Sequence, residues 1–244
     1  MSSQTLTSAP APEVISYDPA TGEEIGHVPL KTATEVREAV HRARSVQPRW
    51  AKLPFRDRAK IILRAREIVL DQLDDIARLI SRESGKPIAE AISMEIVPGL
   101  DLMYYFARQT AELLRSQPID IGQYGLMGRS SKIVFKPLGV VGIISPWNFP
   151  WAIPVWKSAP ALVAGNAVVF KPAELTPATA SLLAEIYQQA GLPQGVFNMV
   201  VGSGSVVGEA IVAQPLATVV PIEPASMPGR VVVQWDKDDC ADMG

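Results

Sequence analysis

The apolar positions change their period several times along the chain, and each change marks an element. From Ser16 to Pro29 two short extended runs flank Pro19-Ala20-Thr21-Gly22, the pattern of a small hairpin. Thr32 and Glu35 then stand at capping-box spacing, with Val36, Ala39, Val40 and Ala43 on one face of the helix that follows. Ile62, Ala65, Val69, Leu73, Ile76 and Ile80 recur at threes and fours, predicting a second helix from about Arg56 to Ser84 that Gly85 ends. A third helix begins after Pro87 and reaches about Arg115, kinked or split at Pro98-Gly99. Tyr104, Tyr105 and Phe106 on it read as packing residues, the usual place of an aromatic cluster in a helix. Between Gln117 and Gly139 the pattern loosens around Gly122, Gly125 and Gly128, then alternates from Lys132 to Lys136. That predicts an exposed two-stranded arm.

From Gly139 to Pro177 the period shortens to runs. Val140 to Ser145 and Ala167 to Lys171 are Val-rich, each ends in a proline-marked turn, and a longer mixed segment separates them. This reads as strand, crossover helix, strand, a unit of parallel sheet. A helix over Thr176 to Ala190 has its boundary marks in place: Thr176 as cap, Pro177 at the first helical position, Gly191 for the left-handed turn and Pro193 beyond it. Val196 to Val201 predicts a third strand, and Gly202-Ser203-Gly204 opens onto a helix from Ser205 to about Ala213. The fold class expected is α/β: a helical N-terminal segment followed by a partial doubly wound, mostly parallel sheet. No internal repeat is present.

Composition narrows the function classes. An apolar content of 48% over 244 residues is enough to bury one sizeable core. With 23 basic against 25 acidic side chains there is no field to attract nucleic acid. One cysteine, Cys240, excludes an intramolecular disulfide framework. No apolar run approaches the roughly 18 residues of a spanning helix, and the first residues lack a secretory signal, so a cytoplasmic protein without membrane partners is expected. Residues 1–13 are rich in Ser, Thr, Pro and Ala and read as a disordered start.

Ligands of parallel sheets sit at the carboxyl ends of the strands, which is where Ser145-Pro146-Trp147-Asn148-Phe149-Pro150 and Lys171-Pro172-Ala173-Glu174 fall. The amide of Asn148 donates hydrogen bonds without titrating, suiting it to an oxyanion; a turn asparagine satisfying its own backbone is the other reading. Glu174 is a carboxylate suited to two ribose hydroxyls and repelling a 2′-phosphate, favouring NAD over NADP. Lys171 and Glu174 equally fit a solvated ion pair. Gly202, Gly204 and Gly208 are spaced one residue wider than a dinucleotide fingerprint: they fit a phosphate loop or merely a tight strand-to-helix turn. His27 and His41 lie apart from any Cys, Ser or carboxylate pattern, and no metal site is expected.

Pro146-Trp147-Asn148-Phe149-Pro150, then Gly165-Asn166, then Phe170-Lys171-Pro172-Ala173-Glu174-Leu175-Thr176-Pro177 together resemble the aldehyde dehydrogenase superfamily, in order and spacing, over about residues 14–215. The resemblance implies a truncated Rossmann-like NAD-binding part, with Asn148 as the catalytic oxyanion donor. It implies cofactor contacts from Ile144, Ser145, Pro146, Trp147, Lys171, Ala173, Glu174, Gly204 and Gly208, and an arm at about 117–138 that pairs with another subunit of a homo-oligomer. It further implies an aldehyde substrate, oxidised to a carboxylic acid through a cysteine thiolate and a water-activating glutamate. Neither group has a match up to Pro215.

Residues 216–244 change character, with three prolines in eight residues from Pro221 and five charges in seven from Asp236. They resemble a fragment of the alpha subunits of bacterial C-family DNA polymerases, the error-prone type, ending before the catalytic aspartate, so no polymerase activity is implied. A fusion joint near Pro215 to Ala217 is expected. Cys240 lies among Asp238, Asp239 and Asp242, which disfavour a thiolate. The reading is therefore a dehydrogenase part inactive by itself, the alternatives being a non-catalytic NAD-binding and oligomerisation module or a non-functional fusion product.

Overall fold

The computed structural model describes residues 12–214 and the backbone of 217–219. The elements in chain order are β1 (Glu13–Tyr17), β2 (Glu24–Pro29), α1 (Ala33–Lys52), α2 (Phe55–Asp71), α3 (Leu73–Ser84), α4 (Ile88–Glu90) and, after a π-helical turn at Ala91–Ile96, α5 (Val97–Leu113). They continue as β3 (Gln117–Ile119), α6 (Gln123–Leu126), β4 (Ser131–Ile133), β5 (Val140–Ile144), α7 (Ala152–Val163), β6 (Ala167–Lys171), α8 (Pro177–Gln189) and β7 (Phe197–Met199). A second π-helical turn at Gly204–Gly208 leads into α9 (Glu209–Val212), and β8 (Ala217–Val219) follows. β1 and β2 form the expected antiparallel hairpin, with Glu13 opposite Pro29. β3 and β4 form the arm. β7, β6, β5 and β8 lie in that order, every neighbour parallel.

The parallel sheet is buried on both faces, and its alternation distributes side chains between two cores. Val141, Ile143, Val168 and Phe170 join the larger core with Ile62, Ile76, Met103, Val155 and Leu183 from α2, α3, α5, α7 and α8. Val140, Ala167 and Val169 point the other way, onto Val36, Val40, Val207 and Ile211. This is the doubly wound arrangement expected. The Trp50 indole donates to Leu162 O (3.0 Å), and the Arg58 guanidinium donates to Val163 O (2.8 Å), tying the end of α1 and the start of α2 to the C-terminus of α7 at the amino end of the sheet.

Several expectations need correction. The single helix over 56–84 is two: at Gln72 (φ −106°, ψ 17°) the chain leaves helical geometry, and while both helices pack on α8, α2 also packs on α5 and α3 on the first π-turn. Pro98 does not split its helix. The chain widens into the π-turn just before it, with Val97 N donating to Ile92 O, and the proline, having no N–H to place, enters α5 in its first turn. Tyr104 and Tyr105 are about half exposed (48% and 47%), their rings on the outer face of α5 where Arg66 and Arg108 lie over Tyr104. Pro12 and Glu13, assigned to the disordered start, belong to the hairpin, since Leu30 N donates to Pro12 O (2.9 Å). The helix expected from Ser205 begins instead as the π-turn at Gly204. β8 lies past Pro215, where the dehydrogenase-like part was expected to stop, and it adds a fourth strand in register with Val141 to Ile143. The remaining tail, with Cys240 and the polymerase-like residues, lies outside the described residues.

Candidate functional site

Strand order reverses at β5, which has β6 on one side and β8 on the other, so a crevice opens beyond its carboxyl end. Two turns face it. Ser145 N donates to Lys171 O (3.0 Å), extending the β5–β6 ladder by one bond, so the turns after β5 and β6 leave the sheet side by side. In the first, Ser145 is buried, Ile144 and Pro146 half-buried, Trp147 and Asn148 exposed; in the second, Lys171 is buried and Ala173 and Glu174 are half-buried.

The Asn148 side-chain amide makes no hydrogen bond with any described residue, so it does not turn back on its own backbone as a turn asparagine would. The main-chain carbonyl of Asn148 accepts from Lys86 Nζ at 3.0 Å. Lys86 also donates to the carboxylate of Glu95 and lies over the Phe149 ring, 4.8 Å from its centroid. Glu95 is fully buried, and its second oxygen accepts from Trp151 N (2.8 Å) and Ala152 N (3.2 Å), the first free N–H groups of α7.

On the second turn, Lys171 Nζ donates to Pro172 O (3.1 Å). Burial pushes its ammonium below the usual lysine range, and the Glu174 carboxylate opposes that shift. Gly208 backs this lysine: a Cβ there would lie 3.9 Å from Lys171 Cδ. Gly202 has φ 154° and no room for a side chain, since a Cβ would come within 2.6 Å of Val207 Cγ2. The N–H groups of Val206, Val207 and Gly208 all donate to Ser203 O. Those of Gly204 and Ser205, the first residues of that turn, have no backbone partner among the described residues, and Gly204 is exposed.

Thr176 sits at the N-cap of α8 but its side chain caps nothing. Glu83 does so instead, its oxygens accepting from Ala178 N and Thr179 N (2.7 Å each), with Ser16 Oγ donating at 2.6 Å. Lys86, Glu95 and Glu83 are thus the site residues that sequence reasoning missed. One signal was available for Glu83: it continues the apolar stripe of Ile76 and Ile80 at i+7 and i+3, where a carboxylate needs a buried partner.

Elsewhere, a cavity of about 420 Å³ lies near the amino ends of β5 and β6, away from the two turns, lined by residues including Phe55, Arg58, Leu138 and Asn166. Among the described residues no cluster of three His, Cys, Asp or Glu side chains could hold a metal, and no helix is long and apolar enough to cross a membrane. His27 bridges Glu13 and Glu24 at the hairpin surface, far in sequence from the turns.

Residues 7–224 match the profile of the aldehyde dehydrogenase family. Among solved structures, the chain is similar to an NADP dependent enzyme of E. coli, at 36% identity and TM-score 0.79, over 84% of this chain and 42% of that one. It is similar to succinate-semialdehyde dehydrogenase from Burkholderia pseudomallei at 33% identity and TM-score 0.80, over 86% of this chain and 43% of that one. It is also similar to an NAD-dependent benzaldehyde dehydrogenase from Corynebacterium glutamicum at 30% identity and TM-score 0.77, over 84% and 44%. The chain therefore spans less than half the length of these neighbours.

Proposed function

This chain belongs to the aldehyde dehydrogenase family, and from that membership we propose that it forms the part of such an enzyme that holds NAD and hydrogen-bonds the aldehyde oxygen. The observation carrying the proposal is the bond from Ser145 N to Lys171 O, which sets a free amide donor and a lysine–carboxylate pair side by side at the switch point of the sheet. NAD, when bound, supplies the hydride acceptor for aldehyde oxidation.

The residues fit that group. Glu174 is half-buried beside a buried ammonium, able to accept both hydroxyls of a ribose while repelling a 2′-phosphate, which selects NAD over NADP. Lys171 steadies the same ribose. Gly208 leaves the Lys171 stem uncrowded, and Gly204 presents exposed backbone to a phosphate. Ile144, Ser145, Pro146, Trp147 and Ala173 line the cofactor side of the turns. Asn148 donates to the carbonyl oxygen as charge develops on it. The full reaction to a carboxylic acid also needs a thiol and a water-activating carboxylate. Cys240, the one cysteine of these 244 residues, has acidic neighbours that disfavour a thiolate, so we assign it no catalytic role.

Titration of the chain with NAD by calorimetry tests the reading. Binding is expected, and Glu174→Ala should weaken it about tenfold, roughly 1.4 kcal/mol, while narrowing the preference over NADP; an unchanged affinity would overturn the assignment. Incubation with NAD and a panel of aldehydes should yield no NADH. Sustained turnover abolished by Cys240→Ser would show that the tail supplies the nucleophile.

A second reading, as a module that associates with other copies in the cytoplasm, is favoured by the arm. Leu126 is 93% exposed and Met127 73%, and Tyr124 and Ile133 of the same arm are exposed too, apolar side chains with little cover from the described residues. The near-neutral charge offers nucleic acid no comparable surface. Light scattering should show an oligomer that Leu126→Asp with Met127→Asp reduces to a monomer.

A further inference from the structure

The turn carrying Asn148 is gripped at both ends by one pair of side chains, and we infer that Lys86 and Glu95 are positioning residues for the oxyanion donor, an inference that rests on the reading of Asn148 given above. Lys86 has three donors and three partners: the Glu95 carboxylate, Asn148 O at 3.0 Å, and the Phe149 ring face. Glu95 divides its oxygens, one taking Lys86 and the other taking the N–H groups of Trp151 and Ala152. The backbone is therefore held on its carbonyl side at residue 148 and on its amide side at residues 151 and 152. The Asn148 side chain makes no hydrogen bond with the described residues and extends from a backbone held on both sides.

Neither anchor is free to wander. The Lys86 side chain is only 10% exposed and its own carbonyl accepts from Ser81 Oγ at 2.7 Å. Glu95 sits in the π-turn before α5, where the widened backbone carries it onto the N-terminus of α7. A donor aimed at a developing charge works through being oriented in advance, so a side chain that fixes the backbone of that donor acts on the chemistry without touching substrate.

The experiment uses the whole chain, labelled with ¹⁵N. The side-chain amide pair of Asn148, identified by its loss in Asn148→Asp, should appear as one sharp pair, and the Trp151 and Ala152 amides should exchange slowly with solvent. In Lys86→Met combined with Glu95→Gln, which leaves no unpaired buried charge, the Asn148 pair should broaden or split, and exchange at 151 and 152 should quicken at least tenfold while β6 amides stay protected. Lys86→Arg should restore the sharp pair. An unchanged Asn148 signal in the double variant, or no recovery with arginine, overturns the inference. NAD titration of the unmutated chain is the separate check on the underlying reading: absent binding with a sharp, Lys86-dependent Asn148 signal leaves the positioning intact and removes the function assigned to it. If the double variant does not fold, Lys86→Met alone is read by the same two signals.

Discussion

Threonine stands at the N-cap of both α1 and α8, and the two positions behave differently. Thr32 has extended backbone (φ −85°, ψ 161°), its hydroxyl accepts from Glu35 N, and Glu35 reaches back to Thr32 N at 2.8 Å, a complete capping box. Thr176 has φ −134° and ψ 53°, its side chain makes no cap bond, and the N–H groups it would have served go to Glu83, more than ninety residues earlier. α7 repeats the second pattern with Glu95. The helix outside the site is closed by its own first turn, whereas the two helices that begin at the site turns are closed from the N-terminal layer. The difference teaches that the geometry of the crevice is set by long-range buried carboxylates, and that the loops between strand and helix are released from capping themselves.

The most severe way to break this comparison is Glu83→Ala. Three donors lose a charged acceptor, and Thr179 N is fully buried, so the loss is expected at about 3 kcal/mol. It should appear as a lower midpoint in urea unfolding, with NAD affinity falling alongside because the 172–176 turn loosens. Glu83→Gln, which keeps an acceptor for one N–H, should recover part of both. Equal stability for Glu83→Ala and the parent would show that water replaces the carboxylate and that the remote cap is incidental.

The same contrast explains what was legible in the sequence. Thr32 and Glu35 are three residues apart, so their box is visible in a window of four. The runs Val140 to Ser145 and Ala167 to Lys171 carry enough Val and Ile, with proline-marked ends, to announce parallel strands, and Asn148, Lys171 and Glu174 follow as their carboxyl-end turns. Glu83, Lys86 and Glu95 have partners that only the folded sheet brings near. β8 was hidden because Ala217 to Val219 is too short for a pattern, and it belongs to the sheet through its pairing with β5. The break at Gln72 has no glycine or proline to mark it; it lets α2 reach α5 and α3 reach the first π-turn while both keep to α8. Tyr104 and Tyr105 illustrate the converse: aromatic content suggested burial, and their place on the outer face of α5 leaves them half exposed.

A smaller effect sharpens the local side of the comparison. The Thr32 amide and hydroxyl and the Lys31 ammonium hold the Glu35 carboxyl at about 2, against an ordinary 4.5. A carboxyl depressed in the folded state contributes stability that is complete above 4.5 and is lost as pH falls toward 2. Because the side chain is more than a third exposed, solvent screening limits that contribution to about 1 kcal/mol, the ordinary value of a cap. Glu35→Gln should therefore be about 1 kcal/mol less stable than the parent at pH 7 and indistinguishable from it near pH 2. A difference that persists at pH 2 would mean the box acts through packing and not through charge.

The smallest effect is the most discriminating. Valine replaces threonine with nearly the same shape and removes only the hydroxyl, so Thr32→Val and Thr176→Val ask the same chemical question at the two caps. At Thr32 the hydroxyl is bonded to Glu35 N and the loss should be about 1 kcal/mol. At Thr176 the residue is buried, its hydroxyl caps no N–H, and Glu83 already satisfies Ala178 and Thr179, so the change should be below about 0.5 kcal/mol and a stabilisation is equally consistent. Urea unfolding of the two variants side by side reads the answer directly. A loss at Thr176 as large as that at Thr32 would mean its hydroxyl contributes to the start of α8 after all, and Glu83 would then share the cap instead of replacing it.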